Sequence, residues 1–127
     1  MNRKKILIDF DKVLVQFKEA MVIPALNDLT RAGCIKYFEF CFELAWKSIK
    51  IFCEEMGTNS CNSPKSSLKQ AFLLQWIDNE IVWLEMLSAR NRLAHTYDAN
   101  YALEIYNSLE KFLVELGKLS ENLHAEF

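Results

Sequence analysis

Apolar residues recur along most of the chain at alternating intervals of three and four, the period of one helical face. The first run covers residues 4 to about 21. Ile6, Phe10, Val13, Phe17 and Ala20 share a face there, and Asp9, Asp11, Lys12, Gln16, Lys18 and Glu19 occupy the rest. Pro24 interrupts the rhythm, so a connector is predicted over 22–27. Asn27 or Asp28 then caps a second helix over 28–56. At ~1.5 Å per residue it is roughly 40 Å long. Phe38, Phe42, Ala45, Ile49, Phe52 and Met56 line one row of it, and Cys34, Tyr37, Cys41, Leu44 and Trp46 a second. Its polar stripe is narrow: Glu39, Glu43, Lys47, Lys50 and Glu54. Glu43 and Lys47 stand in the favourable order for a pair one turn apart. A helix apolar over this much of its circumference is buried on more than one side. Either a second subunit covers the further side, or the helix is central within one monomer.

Gly57 ends that helix, and the polar stretch 57–64 links it to the next. Ser63 before Pro64 is a cap followed by a first helical position. It opens a short helix over 64–75 that directs Leu68, Phe72 and Leu73 to the core. Lys65 and Lys69 give this helix a mildly basic face, equally suited to solvent or to RNA. Asp78 is the expected cap of a fourth helix over 79–92, with Ile81, Trp83, Leu84 and Leu87 apolar. Asp98 caps the last helix, 99–123, in which Tyr101, Ile105, Leu109, Phe112, Leu116, Leu119 and Leu123 hold the rhythm throughout. The predicted fold is all-α: an antiparallel up-and-down bundle of four main helices and one short one, in a single domain spanning 1–127.

Composition narrows this further. Half of the residues are apolar (51%) and 13% are aromatic, enough for a core without metals or disulfides. Three Gly and two Pro leave too few turns for a sandwich or barrel. A net charge of −2 excludes a general nucleic-acid coat protein, whose affinity comes from many phosphate contacts, but not a local basic site. Cys34 and Cys41 lie two helical turns apart, about 10 Å in rise, too far for a disulfide. All four cysteines are read as buried thiols of a reducing cytosol. No zinc set and no cofactor motif are expected. No signal peptide and no apolar run of the ~20 residues a membrane span needs are present, so a soluble cytoplasmic protein is expected.

Chemistry concentrates in Arg90-Asn91-Arg92-Leu93-Ala94-His95-Thr96-Tyr97-Asp98, at the junction of the last two helices. Arginine offers a planar fork for phosphate oxygens, and histidine moves a proton near neutrality. Together Arg90 and His95 suit metal-free cleavage of RNA, with Asn91, Arg92 and Tyr97 as binding groups. Five residues of helix turn through about 140°, so Arg90 and His95 do not share a face. A helix ending near Leu93, or a two-fold axis between two copies, would bring them together. The plainer alternative is structural: His95 caps carbonyls, and Arg90 and Arg92 pair with Glu85 or Asp98. His124 is expected on the solvated surface, and Trp46, Trp76 and Trp83 in the core.

Two segments carry a family resemblance. Phe42-Glu43-Leu44-Ala45-Trp46-Lys47, with the residues from Arg31 that precede it, resembles the long-helix signature of the nucleotidyltransferase substrate-binding protein family. Trp83-Leu84-Glu85-Met86-Leu87, then Arg90-Asn91 and His95-Thr96-Tyr97-Asp98, resembles its second signature, and the resemblance as a whole covers about residues 4 to 120. That family belongs to the wider HEPN group, marked by an arginine and a histidine four to six residues apart. The resemblance implies a dimerising all-α bundle partnered by a separate minimal nucleotidyltransferase, in a pair of toxin–antitoxin type. It further implies that Arg90 and His95 form a metal-independent ribonuclease site, and that Tyr97 can accept AMP from the partner. Three readings therefore stand: a nucleotidyltransferase partner that binds substrate or is modified, an endoribonuclease acting as a dimer, and a bundle without a site.

Overall fold

Five helices make up the computed structural model, which describes residues 2–58, 60–95 and 98–127: α1 (Arg3–Val22), α2 (Asp28–Glu55), α3 (Pro64–Leu73), α4 (Glu80–Leu93) and α5 (Ala99–His124). Among the described residues there is no strand, and no helix is long and apolar enough to cross a membrane. Each helix opens on a side-chain oxygen that accepts a backbone N–H three residues on, satisfying a donor the helix itself cannot. Asn2 accepts from Lys5, Asn27 from Thr30 and Asp98 from Tyr101, at 2.8–2.9 Å. Ser63 and Ser66 form a reciprocal capping box ahead of Pro64. The fourth cap differs from expectation. Asn79, not Asp78, accepts from Val82 at 3.2 Å, which moves both ends of α4 one residue later than predicted.

α2 contacts all four other helices. It is central within the chain, with Cys34 and Cys41 of its second row buried and Tyr37, Leu44 and Trp46 half-buried. Phe10 and Phe17 of α1, Phe38, Phe42 and Phe52 of α2 and Trp83 of α4 are all fully or almost fully buried. Phe38 meets Phe112 of α5 with ring centroids 5.1 Å apart, Phe42 meets Trp83 at 6.4 Å, and Phe52 meets Trp76 at 6.0 Å. The last helix keeps its expected face: Ile105, Leu109, Phe112, Leu116, Leu119 and Leu123 are all in the core, with Tyr101 at its edge.

Three apolar expectations fail at helix ends. Met56 is 54% exposed because α2 has already stopped at Glu55. Leu73 is 70% exposed because α3 ends there. Gln75 then takes a left-handed φ of 62°, and Trp76 N–H bonds back to the Ala71 carbonyl. That reversal sends Trp76, rather than Leu73, into the core. Ile81 is exposed because the inward face of α4 is Trp83, Met86 and Ala89. At the far end His124 is not merely solvated. Its Nε2 lies 2.6 Å from Asp11 Oδ2, tying α5 to α1.

The four cysteines are free and buried. Loss of water pushes the thiols of Cys41 and Cys53 up from an ordinary 9.0 to about 12, with Cys61 adding to the effect at Cys53. Below pH 9 folded and unfolded chains both keep these protons. From about 9 to 12 only the unfolded chain releases them, so their contribution to stability is lost as pH rises through that window. Native protein at pH 8 should thus react with a thiol reagent at Cys41 and Cys53 orders of magnitude more slowly than urea-unfolded protein; equal rates would contradict this burial. In urea melts, Phe38→Ala should cost about 3–5 kcal/mol, and Met56→Ala within about 0.5 kcal/mol.

Candidate functional site

The motif residues divide between two faces of α4, and their neighbours differ accordingly. Arg90 follows Trp83 and Met86 along the inward face, so its side chain runs toward α2. There its Nε donates to Glu43 Oε1 at 2.7 Å. Its Nη1 donates to Asn91 Oδ1 at 3.1 Å. The other carboxylate oxygen of Glu43 accepts from Trp46 Nε1 at 3.0 Å. The sequence-local partners expected for Arg90, Glu85 and Asp98, are not its partners here. Glu85 pairs instead with Lys111 of α5 at 2.6 Å, and Asp98 caps α5. Glu43 likewise leaves Lys47 for Arg90, because a guanidinium offers a charged donor across the α2–α4 contact.

His95 belongs to the outward side. α4 stops at Leu93, as required for His95 to leave the helical path, and His95 N–H bonds to the Arg92 carbonyl in a final tight turn. An open cleft of about 560 Å³ lies between the start of α3 and the end of α4. Lys65, Leu84, Leu87, Ser88, Asn91, Arg92 and His95 line it. Among the described residues, two permanent cations and an imidazole line this cleft and no acid does, in a chain of net charge −2. The result is a local positive potential that an overall charge count conceals. The Arg92 guanidinium lies 3.4 Å above the centroid of the Tyr101 ring, which fixes its plane while leaving its donors at the edge. Tyr101 also borders a neighbouring groove that carries Glu85 and Glu104. The stacked pair thus separates a basic cleft from an acidic one.

Asn91 connects the two sides, bonding Arg90 and lining the cleft with His95. Arg90 and His95 make no hydrogen bond to each other among the described contacts. The outward face of α4 continues from the cleft through Leu84 to Ile81, 44% and 72% exposed, so an uncovered apolar strip leads directly to the polar cluster. Tyr97, the candidate AMP acceptor, lies outside the described residues.

Residues 5–125 match the family described as nucleotidyltransferase substrate binding protein like. The chain belongs to that family. A Haemophilus influenzae protein named as a probable ribonuclease HepT is 30% identical over 102 residues, covering 77% of this chain and 70% of that protein. Two solved structures share the fold. A Thermus thermophilus protein superposes with a TM-score of 0.80 at 25% identity, covering 90% of this chain and 98% of the other. A second, from Haemophilus influenzae, was described as revealing the fold of a substrate binding domain of a nucleotidyltransferase. It superposes at 0.69 with 26% identity, covering 96% of both chains.

In this family member, three residues gain a place that sequence reasoning did not give them. Lys65, equally well read as a solvated face, lines the His95 cleft. Tyr101, read as core, supports Arg92. Glu43, read as half of a surface pair, holds Arg90. The signal for Glu43 was its position beside Phe42, at the border between the apolar row and the polar stripe. The cleft should act as an anion site. Titration with inorganic pyrophosphate at low ionic strength should move the amide resonances of Ser88, Arg92 and His95, and salt should reverse the shifts. Lys65→Gln combined with Arg92→Gln should abolish the response. Shifts scattered over the whole surface would remove the cleft from consideration.

Proposed function

We propose that this protein is the helical subunit of a two-protein minimal nucleotidyltransferase system of toxin–antitoxin type, and that its own chemistry is metal-independent cleavage of RNA by Arg90 and His95. The observation that carries this reading is the cleft in which Lys65, Arg92 and His95 converge with no acid among its described lining residues, one helix face away from Arg90. Phosphodiester recognition needs such a concentration of donors, and a purely structural bundle does not. The similarity to a probable ribonuclease and to a substrate binding domain of a nucleotidyltransferase supports the same two-part reading.

The chemistry follows from the groups. A neutral His95 takes the proton of a ribose 2′-hydroxyl, whose oxygen attacks phosphorus. The bond from phosphorus to the 5′ oxygen breaks, giving a cyclic phosphate and a free 5′-hydroxyl. Arg90 stabilises the charge that develops on the phosphoryl oxygens. The leaving oxygen needs a proton, and one histidine cannot give and take in the same step. A second copy supplies it. The exposed Ile81 and Leu84, on the same face as the cleft, provide the apolar surface on which two copies would meet around a two-fold axis. Tyr97 follows His95 by two residues. A nucleotide transferred to its hydroxyl by the partner enzyme would add negative charge and bulk two residues from His95, a way for such a partner to restrain the activity.

Purified protein should cleave single-stranded RNA in the presence of EDTA. His95→Ala and Arg90→Ala should each slow cleavage by about 100-fold or more, the usual worth of a proton-transfer or charge-stabilising group. Undiminished cutting by His95→Ala would end the ribonuclease reading. For the partner role, incubation with the cognate nucleotidyltransferase and ATP should add the mass of one AMP group to a Tyr97-containing peptide, and Tyr97→Phe should prevent it.

A further inference from the structure

We propose that Glu43 is a positioning residue for Arg90: its carboxylate holds the guanidinium by Nε and so presents the opposite Nη edge to a phosphodiester. The inference rests on the ribonuclease reading and adds to it a residue 47 positions away in sequence. A guanidinium is a rigid plane with five donors, so fixing one edge fixes the direction of the others. Here Nε is fixed at 2.7 Å by Glu43 Oε1, and Nη1 at 3.1 Å by Asn91, which itself borders the His95 cleft. The carboxylate is held in turn. Glu43 Oε2 accepts from Trp46 Nε1 at 3.0 Å, one turn further along α2. The chain of contacts runs Trp46, Glu43, Arg90, Asn91, from the central helix to the cleft.

Stability does not account for this pair. Both side chains remain about one-third exposed, at 31% and 32%. Ion pairs of that exposure contribute little, because solvent screens them and two long side chains lose rotamer freedom. Orientation does account for it. A long arginine on the last full turn of a helix otherwise samples several rotamers, and each would aim its fork differently. Glu43 also keeps the arginine on the α2 side of α4 while leaving one complete edge unoccupied by the carboxylate, which is the arrangement a transition-state contact requires.

The test is a double-mutant cycle on RNA cleavage, with thermal melting and binding of an oligonucleotide 2′-deoxy at the scissile position followed in parallel. Glu43→Ala should lower kcat by about 10- to 100-fold with little change in KM, since it disturbs the aim of a charge-stabilising group. Glu43→Gln, which retains one acceptor oxygen, should recover part of that loss. In an Arg90→Ala background Glu43→Ala should have no further effect, because a residue acting through another is silent once that other is gone. Trp46→Phe should cost a few-fold in wild type and nothing in Glu43→Ala. If Glu43→Ala does not fold, the Gln variant and Trp46→Phe carry the same cycle. Losses that add to that of Arg90→Ala, or a Glu43→Ala protein that cuts as fast as wild type or faster, overturn the positioning role while leaving the ribonuclease reading intact. Wild-type protein that neither cuts RNA nor binds the deoxy analogue overturns both.

Discussion

The rest of the structure depends on the burial of α2. Twenty-eight residues of helix, apolar on two rows, must be covered almost all round, and four helices of the same chain do the covering. α1 and α5 are long enough to run beside most of its length, and α3 with α4 fills the remaining side in two shorter pieces. Because that side is made of two pieces, it contains ends: the start of α3, the stop of α3 at Leu73 and the stop of α4 at Leu93. Helix ends bring unsatisfied backbone groups and diverging side chains to the surface. The cleft that holds Lys65 and His95 lies where the start of α3 faces the end of α4. The site is a consequence of covering a long helix with short ones.

α4 shows the same constraint from the other direction. Against Phe42 of α2 and the inward face of α5, α4 buries Trp83, Met86 and Ala89, and α3 is its third neighbour. Val82, Leu87 and Leu93 pack partly against the core, and Ile81 and Leu84 stay exposed. An uncovered apolar strip costs solubility, and it is kept here on the same helix face as Asn91, Arg92 and His95. Packing therefore uses one face of α4, and the other is the one on which we propose association and chemistry. Arg90 is the exception that crosses over, lying on the packing face and held there by Glu43.

Helix positions were legible because burial of a helix requires a period, and the period is written in every long element. α5 is the clearest case, with an unbroken series from Ile105 to Leu123 that the core reproduces. Caps were legible at Ser63, which Pro64 follows at the first helical position, and at Asp98, and ambiguous at Asp78 and Asn79, where two candidates adjoined. The orientation of α4 was not legible. Ile81, Val82, Trp83, Leu84, Met86 and Leu87 together surround the helix, and periodicity does not choose among faces that are all apolar. Nor were the ion pairs. Local spacing suggests Glu43 with Lys47 and Arg90 with Glu85, whereas folding offers each a partner from a different helix. Long-range pairs such as His124 with Asp11 follow from which ends of the bundle meet, and that is decided by packing rather than by local pattern.

The five-residue interval between Arg90 and His95 now has a structural meaning. Three or four residues would have placed both groups on one helix face, competing for the same solvent or the same core. Five residues with a helix stop between them give each its own environment. The arginine sits against a carboxylate that fixes its plane, and the histidine stands at an open cleft. Asn91 is the residue common to both. The separation has a cost: no single copy assembles an arginine edge, a base and an acid on one surface. In the dimer proposed above, a two-fold axis through the exposed apolar strip would bring each copy's cleft to the other's. In that arrangement the fixed orientation of Arg90 matters more than its distance from His95 in the same chain, because its edge must meet a substrate shared between two copies.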